Sequence, residues 1–387
     1  MPTSSLSDPS EERAAPRRRR AWLLAGLGAA LLAAVAIALA LRGRRDAPPA
    51  ARSGPPAFTP VAGMAALRPR WVLPTQKGFA VVTADPAALF LFDGRGERIR
   101  AVPLASEATA AATSPSGTQL LLALRDAGVI VMDVETWTVI DRAPFSPAAV
   151  ERASGGRVSA RIREIALAEG TLWVAVEGDD GEAALLRLQR PEKKWVEASW
   201  GSMPEGYRLD ARGARLRVVG DELWAVSAAS DPPALHRVVG VTRVDAFPAD
   251  SVEAVRCAHD VAQSAAGNLL LVGCDGTLQE MRRDGEKLVS DRPAREASLP
   301  AAGMRGVRLD EIVAREGGDV FVATSVYDDP PADLPNAAVL YRIDDTGGRK
   351  VAQLTETVIT SLAVTPQLIV AVVRRLDGSV DLLSMPR

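Results

Sequence analysis

Short apolar runs rich in β-forming residues recur along most of the chain, each entered from a glycine or a polar turn. One reads GTLWVAV, from Gly170 to Val176. The runs begin at Phe79 (FAVVTA), Leu120 (LLLAL), Leu172 (LWVAV), Leu223 (LWAVS), Leu269 (LLLVGC), Val320 (VFVAT) and Leu368 (LIVAVV). Successive starts are 41, 52, 51, 46, 51 and 48 residues apart. Being apolar on both faces, they suit strands sandwiched between two packed sheets. Around each run the polar punctuation predicts three further strands. In the third repeat the four are Ile162 to Ala168, Leu172 to Val176, Ala184 to Gln189 and Trp195 to Ser199; in the second, Ala110 to Ser114, Leu120 to Leu124, Val129 to Asp133 and Trp137 to Arg142. Pro115-Ser116-Gly117, Ala266-Gly267-Asn268, Asp93-Gly94 and Asp345-Thr346-Gly347 supply turn chemistry between them.

A period near fifty residues, built of four strands, is that of a propeller blade rather than a helical repeat. Seven copies predict an all-β chain, a seven-bladed β-propeller over residues 57–387 preceded by one N-terminal transmembrane helix. An open propeller would leave two unpaired sheet edges. The last repeat offers Ile359 to Thr365, Leu368 to Val373 and Ser379 to Leu383, then reaches Arg387 without a fourth strand. Ala57 to Leu67, ahead of the first inner strand at Trp71, is therefore expected to be the outer strand of the last blade.

The first 56 residues follow other rules. Residues 1–20 read as a disordered basic cytoplasmic tail, since their Ser, Pro, Glu and Ala carry no hydrophobic periodicity and end in Arg17 to Arg20. Ala21 to Leu41 is uncharged and long enough to span a hydrocarbon core as a helix. Arg13 and Arg17 to Arg20 before it outnumber Arg42, Arg44 and Arg45 after it, which predicts an N-in orientation. Residues 42–56 form a Pro/Ala-rich linker. The expected location is the inner membrane, single-pass, with the propeller in the periplasm or outside the cell. A cleaved signal peptide is the rival reading, because Ala38-Leu39-Ala40 has the form of a cleavage site.

The formal net charge of the whole chain is -2, but residues 1–45 hold eight arginines against Asp8, Glu11 and Glu12, a balance of +5. The other residues hold 38 Lys and Arg against 45 Asp and Glu, or -7. A domain of that sign has no general attraction to phosphate backbones, which argues against a nucleic-acid partner. Two cysteines exclude a cysteine-rich metal cluster. They are Cys257 and Cys274, in VRCAHDVAQSAAGNLLLVGCDG, where a hairpin turn centred between residues 265 and 266 gives paired positions the index sum 531. The two cysteines share that sum, so a disulfide between them is expected.

SPSGTQLLLALRDAGVIVMDVETWTVI, from Ser114, resembles blades of the YVTN and WD-repeat type, with a Ser-Pro-x-Gly turn and an Asp closing the third strand. IREIALAEGTLWVAVEGDDG from Ile162, AHDVAQSAAGNLLLVGCDG from Ala258 and DEIVAREGGDVFVATSVYDD from Asp310 are similar to blades of streptogramin lyases and calcium-dependent lactonases. The second resemblance implies carboxylates and amides gathered at the channel around a metal ion that polarises an ester or activates water. Glu164, Asp260 and Glu311, each just before the apolar part of an inner strand, are the candidate ligands, and His259 is a candidate proton carrier. The chain departs from that family in having only Asn268 and Asn336 as asparagines, neither at a channel position. The alternative is structural: the carboxylates pair with the arginines that precede them, Arg161, Arg256 and Arg308, and tie blades together. His236, on a third strand, is remote from His259 in the repeat plan.

Every loop between second and third strands carries an acid: Asp85, Asp126, Asp179 with Asp180, Asp231, Asp275, Asp328 with Asp329, and Asp377. They form either a binding rim or ordinary turn chemistry. The longest such loop, Tyr327 to Asn336, is the candidate partner contact. Trp173 and Trp224 occupy equivalent second-strand positions and are assigned to packing between blades. These features predict a membrane-anchored extracytoplasmic module that binds or scaffolds proteins of the bacterial cell envelope, without a cofactor. The alternatives are a metal-dependent lactonase or lyase using calcium at the channel mouth, and a small-molecule sensor.

Overall fold

The computed structural model describes residues 57–64, 66–125, 128–143, 161–168, 170–177, 182–189, 196–197, 209–210, 214–227, 234–239, 243–248, 258–264, 267–273, 277–284, 287–290, 295–296, 307–314, 319–326, 336–344 and 347–387. The tail, membrane span and linker expected over 1–56 lie outside them. No helix among the described residues is long and apolar enough to cross a membrane.

The described chain is all β and has a β-propeller arrangement of antiparallel sheets. Five sheets have the four-stranded blade form. The first is Pro69–Thr75, Gly78–Ala84, Ala87–Asp93 and Arg98–Pro103, and the second is Ala108–Thr113, Gln119–Leu124, Gly128–Asp133 and Val139–Ala143. The fourth, from Ala214–Val219 to Arg243–Pro248, and the sixth, from Val307–Ala314 to Gly347–Thr355, repeat the meander. Two further sheets, third and fifth in sequence, begin at Arg161–Ala168 and Ala258–Gln263, and each carries a short fifth strand.

The last four-stranded sheet joins the two ends of the domain. Its inner strands are Thr357–Val364, Leu368–Arg375 and Val380–Pro386, and its outer strand is Thr59–Pro60. Thr59 pairs with Ser384 and Pro60 with Leu383, and the Val61 amide donates to the Leu382 carbonyl at 2.9 Å. The expected closing segment is therefore in place. Only two residues of it are strand; Val61, Met64 and Leu67 finish the closure by packing on the core between the last and first sheets.

Second strands are the most buried elements because both faces meet neighbouring sheets. Phe79 to Val82 and Ile369 to Val373 are all 0 % exposed. Each apolar cluster joins two consecutive sheets. Trp173 packs between the third and fourth and Trp224 between the fourth and fifth, as their equivalent positions implied. Gly78 has no room for a side chain, since a Cβ there would stand 2.2 Å from the Phe92 carbonyl oxygen.

Two sequence expectations are corrected. The outer strand of the second sheet starts at Val139, because Trp137 adopts φ 57 in a turn whose Asp133 carboxylate accepts from the Glu135 and Thr136 amides at 3.0 and 2.7 Å. In the fifth sheet the inner hairpin pairs Val261 with Leu271 and Gln263 with Leu269, an index sum of 532 rather than 531. The cause is a longer turn, in which the Ser264 amide donates to the Asn268 carbonyl at 2.8 Å.

Candidate functional site

Inner strands share a defect at one level. Register breaks skip Arg70, Thr109, Arg163, His259, Asp310 and Thr360, so six inner strands carry a β-bulge at corresponding places. A bulge leaves its extra residue unpaired and re-aims the side chains beside it. Where the bulged residue is threonine, its hydroxyl donates to a carbonyl of the neighbouring strand. Thr109 donates to Ala123 at 3.4 Å and Thr360 to Val372 at 3.3 Å. The residues just after the bulges are Trp71, Ala110, Glu164, Asp260, Glu311 and Ser361, so all three candidate carboxylates occupy this position. The fourth inner strand has no bulge, and there Arg215 lies opposite Val226 as Glu164 lies opposite Ala175.

Three of these strands build one charge cluster. Asp260 is 1 % exposed, and both its oxygens are engaged. Its Oδ2 accepts from Arg215 at 2.9 Å and from Arg217 at 3.1 Å; its Oδ1 meets Arg217 Nε at 3.0 Å and accepts the Val261 amide at 2.9 Å. Arg217 also stands 3.9 Å from a Glu164 oxygen. One guanidinium of the fourth sheet thus links carboxylates of the third and fifth, and the forked contact to Asp260 is the strong kind of ion pair. Burial raises the Glu164 pKa above the usual carboxylate range, Arg217 and Arg215 pull it back, and Asp260 pushes it up. Asp260, gripped by both arginines, is the centre of the cluster, and Glu164 sits at its edge.

Arg215 and Arg217 are partners of Asp260 that adjacency in sequence did not suggest, and Arg217 reaches Glu164 as well. Arg161, Arg256 and Arg308 have side chains outside the described residues. The clue was present in Arg215-Leu216-Arg217-Val218, which alternates charge with apolar residues along an inner strand. Glu311 lies opposite Ala323 and His259 is the bulged residue beside Asp260, but their side chains, like that of His236, are outside the described residues. Other acids among the described residues also link neighbouring sheets, Glu135 with Lys77 at 3.6 Å among them. Glu107 pairs with Arg70 and Arg125. Asp319 pairs with Arg387 and with Arg342, the latter at 2.6 Å.

Of the rim acids, Asp85 is exposed in the turn before Ala87–Asp93. Asp377 caps its own turn, accepting the Ser379 amide at 2.8 Å, and hydrogen bonds from Ser379 hold its pKa below the ordinary value. Asp126, Asp179, Asp180, Asp231, Asp275, Asp328 and Asp329 lie outside the described residues, as do Cys257, Cys274 and most of the Tyr327 to Asn336 loop.

No family profile matches the chain, and no curated protein matches it in sequence. Solved structures match by fold. The β-propeller domain of Cps50 (Swd1) from Myceliophteria thermophila superposes with a TM-score of 0.55 at 15% identity, over 82% of this chain and 96% of that one. The WD40 repeats of RRP9 give 0.56 at 13%, over 86% and 99%. A chain of a mitotic checkpoint complex gives 0.53 at 14%, over 89% and 97%. At these identities the likeness is one of fold.

Proposed function

We propose that this chain is a protein-binding or scaffolding propeller, with seven blades closed into one ring and held at the outer side of a bacterial inner membrane by residues 21–41. The observation that carries the binding reading over the catalytic one is the state of Asp260. Asp260 is saturated by Arg215, Arg217 and a backbone amide, so using it as a base or ligand would first break a buried ion pair. The cluster ties sheets together and leaves the exposed surface for recognition. Similarity to a WD40 propeller and to a chain of a mitotic checkpoint complex supports the same class. Seven blades are favoured by the seven apolar clusters, each between consecutive sheets, one of them between last and first. The anchor rests on the uncharged Ala21 to Leu41 run and the arginines around it.

The test is affinity purification of the full chain from cross-linked membranes of the producing cell. A stoichiometric partner recovered reproducibly is the expected result. Hydrolysis of lactones by the purified chain, lost in Glu164→Gln and without any such partner, overturns the reading.

A further inference from the structure

Four large hydrophobic side chains are exposed among the described residues: Ile99 at 53 %, Ile140 at 47 %, Val139 at 39 % and Leu376 at 38 %. Three of the four sit on the outer strands of two adjacent sheets, the first and the second. Single exposed apolar residues need no explanation, but this concentration does.

The two isoleucines hold the same structural position. Arg98 lies opposite Phe92 and Arg100 opposite Leu91, which leaves Ile99 without a pairing partner. Val139 lies opposite Met132 and Asp141 opposite Val131, which leaves Ile140 without one. Each is the extra residue of an outer-strand bulge. The sixth sheet has a third such bulge, at Val351 between Lys350 and Ala352, and there the aliphatic side chain packs on the core shared with the last sheet. An aliphatic residue at this position therefore has an inward solution, which the first two sheets do not use.

The bulges also limit how anything can dock. A kinked edge does not accept an added strand, so contact here runs through side chains rather than a shared ladder. Charge then selects the partner. Arg98, Arg100 and Arg142 are exposed beside the isoleucines, Arg98 with its guanidinium 5.9 Å from the centre of the Phe90 ring. Asp141 is the one acid on these two strands, giving a local balance of +2 where residues 46–387 as a whole carry -7. Cationic, aliphatic outer strands on an anionic domain complement a partner of opposite pattern. The chain's own first 45 residues, at +5, have the wrong sign.

We propose that the outer strands Arg98–Pro103 and Val139–Ala143 form a docking face for a separate protein segment that presents aliphatic side chains interspersed with carboxylates. The proposal rests on the protein-binding reading and names its surface. The probe is a fluorescein-labelled peptide of Glu-Leu-Ser repeats, titrated by anisotropy into the full-length chain beside Lys-Leu-Ser and Glu-Ser-Ser repeats. The Glu-Leu-Ser peptide is expected to bind best and to weaken as salt rises. Ile99→Ser with Ile140→Ser, and separately Arg98→Glu with Arg100→Glu, should each reduce its affinity about tenfold or more. These positions are exposed, so both variants should melt with the wild type. Equal binding of all three peptides, no binding of any, or binding indifferent to both pairs of substitutions overturns the proposal. A cellular partner captured equally well by the wild type and both variants would remove this face while leaving the protein-binding reading intact.

Discussion

Ser361 follows Val72 by 289 positions, yet its hydroxyl serves both polar groups of the Val72 backbone, accepting from the amide at 3.1 Å and donating to the carbonyl at 3.3 Å. The contact joins the inner strands of the last and first sheets, at the residue just after the bulge. Ser361→Ala leaves a buried amide and carbonyl unserved and should lower the unfolding free energy by about 1–3 kcal/mol. Thr360→Ala, whose hydroxyl bonds within its own sheet, controls for the general loss of a hydroxyl. Urea unfolding that ranks the two variants equally would assign Ser361 no special part in closure.

Asp260→Asn removes the charge that Arg215 and Arg217 share. Breaking a buried pair from one side strands the other charges, so a loss of about 2–4 kcal/mol is expected, somewhat below the fully buried case because both arginines keep some solvent contact. Arg217→Met should cost less than Asp260→Asn, since Arg215 still serves Asp260. The opposite ranking in denaturant midpoints refutes the assignment of Asp260 as the hub.

Glu164 predicts a pH dependence. Its folded pKa lies above the ordinary 4.5, so the unfolded chain releases this proton first as pH rises. The contribution is complete below about 4.5 and is lost as pH climbs through the raised folded value. The difference in stability between wild type and Glu164→Gln should therefore drift against the wild type as pH increases from 4.5. A difference that stays constant across that range refutes the shift.

Strands such as Phe79 to Val82 were legible because burial on both faces leaves an uninterrupted apolar run. Closure by Thr59–Pro60 was legible because a missing fourth strand is a countable deficit. The ion-pair partners were not. Asp260 is adjacent in space to Arg215 and Arg217 only because inner strands of consecutive sheets line up, and a list of neighbours along the chain does not contain that fact. Bulges were equally hidden: a one-residue slip such as that at His259 leaves no mark in composition, yet it decides which way the following residue faces.

That slip bears on the cysteines. Beyond it Ala258 lies opposite Gly273, restoring the index sum 531 that Cys257 and Cys274 share. The cysteines themselves lie outside the described residues, so the disulfide expected from the shared sum stays a matter for experiment. In an oxidising compartment the denatured, unreduced chain should show no free thiol and the reduced chain two. Cys257→Ser should cost about 3 kcal/mol in the chain-entropy account. Two free thiols before reduction would eliminate the bridge.

The proposed membrane anchor, residues 21–41, makes a separate prediction. Alkaline phosphatase fused after Arg387 should be active in cells, and replacing Arg17 to Arg20 by glutamine should weaken that orientation. Activity confined to a cytoplasmic reporter would reverse the topology.

Thr59 and Ser384, partners in the closing sheet, lie 325 positions apart, and this separation sets a clock on synthesis. At about 5–20 residues per second, Thr59 exists for about 16–65 s before its partner is made. Through that interval Val61 and Met64, buried in the finished protein, have no last sheet to cover them. For most of translation this segment stays without the sheet that will cover it, exposed to any other apolar surface it meets.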